Sequence, residues 1–144
     1  MGIRVVLPTV LLSLGCILVI PLDDAWGQVV LYEGNNCSQD VLCEEWFEGF
    51  RNFKKETSCP NDEARSLFIR NARRGEQYWL FDSPDGSLND DWVEIAILND
   101  FNELCIKTFE RSFDDGSIRI IYHKRNGLDG KVSAMTIKGA IGPN

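Results

Sequence analysis

Apolar and polar residues alternate along several short stretches of the chain from Gln28 onward. Valine, isoleucine or tyrosine occupies every second position within 93–97 and 118–122, and a similar alternation runs through 104–108. A period of two places successive side chains on opposite faces of a β-strand, so these stretches predict half-buried strands. Glycine, asparagine, aspartate and proline are concentrated between them, as in Ser83-Pro84-Asp85-Gly86, and form turns. The pattern predicts an all-β domain, an antiparallel sandwich or barrel.

One stretch fits two interpretations. The apolar residues between Asp40 and Lys55 are Val41, Leu42, Trp46, Phe47, Phe50 and Phe53. Their spacing is compatible with one face of a short helix as well as with two strands. We favour two strands on either side of Glu48-Gly49 and keep a helix as the alternative.

The first 27 residues have the layout of a secretory signal peptide. Arg4 precedes an apolar run from Val5 to Leu22, and Ala25-Trp26-Gly27 places small residues at a cleavage site before Gln28. An uncleaved membrane anchor is the alternative, because the run is close to the shortest membrane span. We expect residues 1–27 to be removed and residues 28–144 to form a single secreted domain, either extracellular or periplasmic. A membrane is a partner only if the segment stays uncleaved.

The charge and the histidine count exclude several functions. The chain carries 22 acidic and 15 basic residues, a formal net charge of −7, which argues against non-specific nucleic-acid binding. A Ser-His-acid triad would need His123, the single histidine, which lies in a predicted strand with no Gly-x-Ser-x-Gly motif. Glycine-rich nucleotide-binding motifs are also absent from the sequence. We therefore expect no enzymatic activity.

Four of the five cysteines lie beyond the predicted cleavage site, namely Cys37, Cys43, Cys59 and Cys105. An even number of cysteines after an export signal predicts two disulfides, with three ways of pairing them. We favour Cys37 with Cys43 and Cys59 with Cys105, and the other two pairings stay open. A zinc site is disfavoured because the sequence has no Cys-x-x-Cys pair.

The chain also contains a weak internal repeat. Gln28–Glu33 is similar to Gln77–Asp82, since both place leucine beside an aromatic residue and an acid before a turn. Ser66 and Ser133 each follow an aspartate by four residues within a predicted strand. Leu80 and Ser133 are 53 positions apart, against 35 for Leu31 and Ser66, so the second copy is longer by about 18 residues. Two such units would pack face to face as a sandwich.

These residues resemble the βγ-crystallin family. Leu31-Tyr32-Glu33 and Leu80-Phe81-Asp82 resemble the opening strand of each motif, and Ser66 and Ser133 resemble the serine that bonds across each folded hairpin. The resemblance implies an antiparallel β-sandwich of two Greek-key motifs, the first over about 28–71 and the second over about 76–138. It also implies that the two hydroxyls bond the turns near 34–36 and 83–86.

The most concentrated polar segment runs from residue 82 to residue 91. Its candidate calcium ligands are Asp82, Asp85, Asn89, Asp90 and Asp91. Ca²⁺ takes six to eight oxygen ligands and tolerates flexible loops, and members of the resembled family often bind it. The alternative is that these side chains only cap backbone N–H groups in a turn. Ca²⁺ is the one cofactor that the sequence suggests.

Aromatic residues cluster at 46–53 and 78–92. They fill the core of a small sandwich or, if exposed, form a surface for carbohydrate or for another protein. We expect an exported, disulfide-stabilised, non-enzymatic β-sandwich module with acidic turns that are candidates for Ca²⁺. The alternative is an extracellular recognition protein that binds through exposed aromatic side chains.

Overall fold

The computed structural model describes residues 28–45, 47–56 and 58–139. The predicted signal peptide, residues 1–27, lies outside these ranges, as does Trp46. The strands within them are β1 (Gln28–Gly34), β2 (Ser38–Glu45), β3 (Gly49–Asn52), β4 (Ser66–Ala72), β5 (Gln77–Phe81), β6 (Trp92–Ile97), β7 (Phe101–Ile106), β8 (Phe113–Asp114), β9 (Ile118–His123) and β10 (Ala134–Lys138).

The described residues form no helix, so none of them makes a helix able to cross a membrane. The stretch between Asp40 and Lys55 contains β2 and β3, and the two-strand interpretation is confirmed. The two strands do not pair with each other, because they belong to different sheets.

The strands form two antiparallel sheets, so the predicted all-β architecture is confirmed. The four-stranded sheet has the order β2-β1-β4-β7, and the six-stranded sheet has the order β3-β10-β5-β6-β9-β8. The first half of the chain contains β1 to β4, and the second half contains β5 to β10. The sheet formed by β1, β2 and β4 of the first half is completed by β7 of the second half. The sheet formed by β5, β6 and β10 of the second half is completed by β3 of the first. The two halves therefore exchange their third strands.

The longer second copy of the repeat adds strands. Its excess falls between β7 and β10, where the chain forms β8 and β9. β9 pairs with β6 from Trp92↔His123 to Ile97↔Ile118, and β8 pairs with β9. The insertion widens the six-stranded sheet beyond β6 and brings His123 beside Trp92.

The core lies between the inner faces of the two sheets. Val93, Ile95 and Ile97 alternate with half-buried residues and are themselves 0–1% exposed, as their period of two predicts. Leu67 and Ile69 of β4 belong to the same buried cluster. Burial of this apolar surface is the main favourable term in folding.

Two disulfides join the four predicted cysteines, but the favoured pairing is wrong. Cys37 is bonded to Cys105 and Cys43 to Cys59, with Cα–Cα distances of 6.2 and 5.2 Å. The turn after β1 folds back over the sheet, because the Asn36 N–H donates to the Lys107 carbonyl oxygen at 2.8 Å. This contact brings Cys37 onto β7.

Cys43 lies further along the extended strand β2, where it is buried in the core next to Cys59 of the loop before β4. Six residues of extended chain span about 20 Å, so Cys37 and Cys43 are far apart in space although they are close in sequence. The presence of two disulfides indicates that the protein folds in an oxidising environment.

The two repeated serines have different partners. The Ser66 hydroxyl donates to the Gly34 carbonyl oxygen at 2.6 Å and accepts the Cys37 N–H at 2.9 Å, within the hairpin of its own half. The Ser133 hydroxyl donates to the Asp62 carboxylate at 2.8 Å, so the expected bond to residues 83–86 is wrong.

The turn that follows β5 contacts another element. Gly86 approaches Phe50 of β3 so closely that a Cβ atom there would lie 2.9 Å from the ring. This turn therefore packs against a strand from the other half of the chain. Ser133 instead bonds Asp62, which lies in the loop before β4.

Candidate functional site

The fold places the candidate calcium ligands of the acidic segment after β5 in different surroundings. Carboxylate oxygens of Asp82, Asp90 and Asp91 lie within 4.8 Å of one another, because the Asp82 N–H bonds the Asp91 carbonyl oxygen and closes the hairpin. Asp85 is exposed and accepts bonds from the Ser83 hydroxyl and the Ser87 N–H. The structure thus brings together three of the five predicted calcium ligands.

The other predicted ligand, Asn89, is exposed, and its N–H donates to the Ser87 hydroxyl at 3.2 Å. Asp85 organises the turn in the manner of the capping alternative, because its carboxylate accepts the Ser87 N–H. Asp85 does not belong to the group of three carboxylates.

Asp91 anchors the loop that follows β9. Its buried carboxylate accepts the Tyr122 hydroxyl at 2.7 Å and the backbone N–H groups of Arg125, Asn126 and Gly127 at 2.8–3.0 Å. Burial alone would raise its pKa, but these four donors stabilise the charged form and lower the pKa of Asp91 to about 2. The carboxylate therefore holds residues 124–127 in place.

The other two carboxylates of the cluster, those of Asp82 and Asp90, are stabilised by fewer neighbouring groups than that of Asp91. Burial, together with the negative charge of Asp90, raises the pKa of Asp82, and the Lys131 ammonium opposes this shift. Asp90 accepts the Asp91 N–H at 3.0 Å and the Asn126 side-chain N–H at 3.3 Å. Because Asp91 already has four donors, Asp82 and Asp90 are the members of this cluster that could offer oxygens to Ca²⁺, and calcium binding stays a prediction.

Trp92 and His123 form an aromatic stack at this same end of the six-stranded sheet. Their ring centroids are 3.7 Å apart and their planes differ by 7°. The stack follows from the register, because Trp92 begins β6 directly after Asp91 and is paired with His123, which ends β9. The single histidine of the chain therefore serves as a stacking partner.

A surface cleft opens beside the stack, which we call the cationic cleft. It is lined by Leu88, Asp90, Trp92, His123, Lys124 and Arg125. Leu88 is 57% exposed. Among the described residues neither Lys124 nor Arg125 forms an ion pair, since ion pairs there are confined to Arg51–Glu56 and Arg119–Asp114.

The outer face of the six-stranded sheet carries a row of large side chains. The strand registers place five residues side by side, namely Phe50, Thr136, Trp79, Glu94 and Ile121. Phe50 is 42% and Ile121 39% exposed, while Trp79 is half-buried. The Lys138 ammonium lies 5.0 Å from the centroid of the Trp79 ring. We call these five residues the aromatic row.

The clustered aromatic residues divide between the core and the outer face of the six-stranded sheet. Tyr78, Phe53 and Phe81 are buried, and burial also raises the pKa of the Tyr78 hydroxyl. Phe50 and Trp79 lie on the outer face instead. The strand period separates the two groups, because Trp79 falls between the inward-pointing Tyr78 and Leu80.

The outer face of the four-stranded sheet is more polar. On it, the Gln28 amide donates to Glu44 at 2.6 Å and accepts from Arg70 at 2.9 Å. These side chains satisfy one another's hydrogen-bonding groups across the adjacent strands β2, β1 and β4. The two faces of the molecule therefore differ in chemistry.

The sequence interpretation missed Lys124 and Arg125. They lie next to Asn126-Gly127, a dipeptide typical of turns, and no charge pattern beyond two adjacent cations marks them. Their importance comes from the Asp91 carboxylate, which is 33 positions before Lys124 in sequence and fixes the loop.

A comparison of this chain with models of protein families, with curated proteins and with solved structures finds no match. Its function has to be inferred from its own side chains.

Proposed function

We propose that this chain is an exported, disulfide-stabilised, non-enzymatic recognition module that binds carbohydrate on the outer face of its six-stranded sheet. The observation that carries the proposal is the aromatic row, in which the apolar side chains of Phe50, Trp79 and Ile121 alternate with the polar side chains of Thr136 and Glu94. Sugar rings stack their C–H faces on aromatic rings, while their hydroxyl groups need nearby polar partners. Few surfaces offer both on a rigid sheet.

The charges within this face favour carbohydrate over a protein partner. Glu94 lies between Trp79 and Ile121 in the row, and Lys138 lies over the Trp79 ring. The centre of a protein–protein interface is usually depleted of charged residues, particularly lysine and glutamate. A carbohydrate can use the same groups as hydrogen-bond partners.

Export is supported by the predicted signal peptide and by the two disulfides. A non-enzymatic role is supported by the contacts that already engage His123 and the Asp91 carboxylate. His123 is stacked on Trp92, and the Asp91 carboxylate is committed to four donors that build a loop.

We also propose that the fold is a sandwich of two Greek-key motifs of the βγ-crystallin type. The exchange of β3 and β7 between the sheets supports this assignment, because each half contributes one strand to the sheet that is formed mainly by the other half. The bond from Ser66 to Gly34 in the first hairpin supports it further.

A glycan array tests the carbohydrate proposal, using the exported protein with intact disulfides. We expect retention on at least one glycan and a loss of at least about tenfold in affinity for Trp79→Ala and Ile121→Ser. Val41→Ala is the matched control, because Val41 is 51% exposed but belongs to β2 of the other sheet. Thermal melts establish that each variant is folded. No retained glycan, or equal retention by wild type and both row variants, would overturn the proposal.

A further inference from the structure

We propose that the cationic cleft makes the module selective for anionic saccharides, those bearing carboxylate or sulfate groups. This inference rests on the proposed function, since the cleft is an extension of the carbohydrate-binding face. The juxtaposition that carries it is a stacked Trp92–His123 pair beside two cations without ionic partners.

The cleft continues the aromatic row along the same side of the sheet. Trp92 and Glu94 are two positions apart on β6, and His123 and Ile121 are two positions apart on β9. Residues separated by two lie on the same face of a strand. A saccharide stacked along the row therefore reaches the cleft without leaving the sheet surface.

The side chains that line the cleft carry more positive than negative charge. Lys124 and Arg125 line it together with one carboxylate, that of Asp90, which is bonded to the Asn126 side chain. Asp91 lies beneath the loop, and four donors surround its buried charge. Asp82 and Lys131 lie nearby and carry opposite charges.

Arginine binds carboxylate and sulfate through parallel N–H···O bonds, and lysine adds a point charge. In a chain of formal net charge −7, two adjacent unpaired cations are the feature of this face that an anion would recognise. Leu88, exposed on the wall of the cleft, offers the apolar contact that a sugar ring needs.

Asp91 acts in this arrangement as a positioning residue. Its bonds to three successive N–H groups turn the backbone of 125–127 inward and hold the loop that carries both cations. Asp91, from the acidic segment of the sequence, thus shapes a binding site for negative charge.

The experiment compares matched neutral, carboxylated and sulfated oligosaccharides by titration calorimetry on the exported protein. We expect at least one anionic form to bind about tenfold more tightly than its neutral counterpart. The preference should disappear in the Lys124→Gln/Arg125→Gln variant, while neutral binding persists. The carboxylated and sulfated arms identify which anion is preferred. Arg73→Gln/Arg74→Gln is the charge-matched control, because this pair precedes β5 at the opposite end of the sheet.

Salt dependence provides a second measurement that needs no variant. The anionic preference should weaken between about 0.05 and about 0.5 M salt, because exposed charges are screened. Equal binding of neutral and anionic forms, or an unchanged preference in the Lys124/Arg125 variant, would overturn the inference alone. Failure of every saccharide to bind would overturn the proposed function as well.

Discussion

The hydroxyl of Ser66 donates a hydrogen bond to the carbonyl oxygen of Gly34 across the folded hairpin between β1 and β2. The distance is 2.6 Å, and Ser66 itself is fully buried. The same hydroxyl accepts the N–H of Cys37, whose disulfide ties the hairpin to β7. One side chain therefore links the turn to the sheet beneath it.

Replacing Ser66 by alanine should lower the free energy of unfolding by about 1–3 kcal/mol, because a buried N–H and a carbonyl oxygen lose their partner. Urea denaturation of wild type and variant measures the difference. Ser58→Ala is the control, since Ser58 is exposed and its loss should cost less than about 0.5 kcal/mol. A Ser66 variant as stable as the control would show that the hairpin does not need this bond.

Acid should destabilise the protein through Asp91. The pKa of this carboxyl is about 2 in the folded protein, below its ordinary value of 3.8. The charged form is therefore favoured by folding, and its contribution is complete above about pH 4 and lost as the pH falls towards 2. In Asp91→Asn, the stability at neutral pH should fall by at least about 2 kcal/mol, since buried donors lose a charged acceptor.

Denaturant unfolding across this pH range checks the prediction. Between about pH 4 and pH 2 the variant should lose less stability than the wild type does, because it lacks the titrating group. Asp40→Asn is the control, because Asp40 is exposed on β2 of the other sheet and lies outside the carboxylate cluster. Parallel pH profiles for wild type and Asp91→Asn would contradict the assignment.

The disulfide pairing can be read directly by peptide mapping of the unreduced protein. We expect Cys37 linked to Cys105 and Cys43 linked to Cys59. Their sequence separations are 68 and 16, so in the chain-entropy model they stabilise by about 4 and about 3 kcal/mol. Mapping that instead links Cys37 to Cys43 would contradict the fold of the first hairpin.

Calcium binding by the carboxylate cluster can be tested through its effect on stability. If Asp82 and Asp90 hold Ca²⁺, a concentration one hundred times the dissociation constant should stabilise the fold by about 2.7 kcal/mol. Asp82→Asn should abolish this effect, and Asp85→Asn should leave it intact because Asp85 is not part of the cluster. A melting temperature that does not respond to millimolar calcium would remove the prediction.

Local pattern was enough to predict the strands and turns. The alternation in 93–97 and 118–122 reflects one buried and one exposed face, and that requirement acts within a single strand. The greater length of the second repeat predicts only that residues are added, whereas the structure shows that the added stretch contains β8 and β9.

Relations between distant residues could not be predicted in the same way. The Trp92–His123 stack depends on the register of β6 against β9, and the Cys37–Cys105 bond depends on how the first hairpin folds over the sheet. Neither depends on a local preference, so no periodicity within one segment encodes it. The partner of Ser133 was missed for the same reason.

The exchange of β3 and β7 means that neither half of the chain can complete its own sheet. A fragment ending after β4 would have one strand with no neighbours and an open edge where β7 belongs. A second copy of the same half would offer the strands that those edges lack, whereas the present chain supplies both sets of strands itself. Stable structure must then wait until strands from both halves of the chain are present, β10 among them.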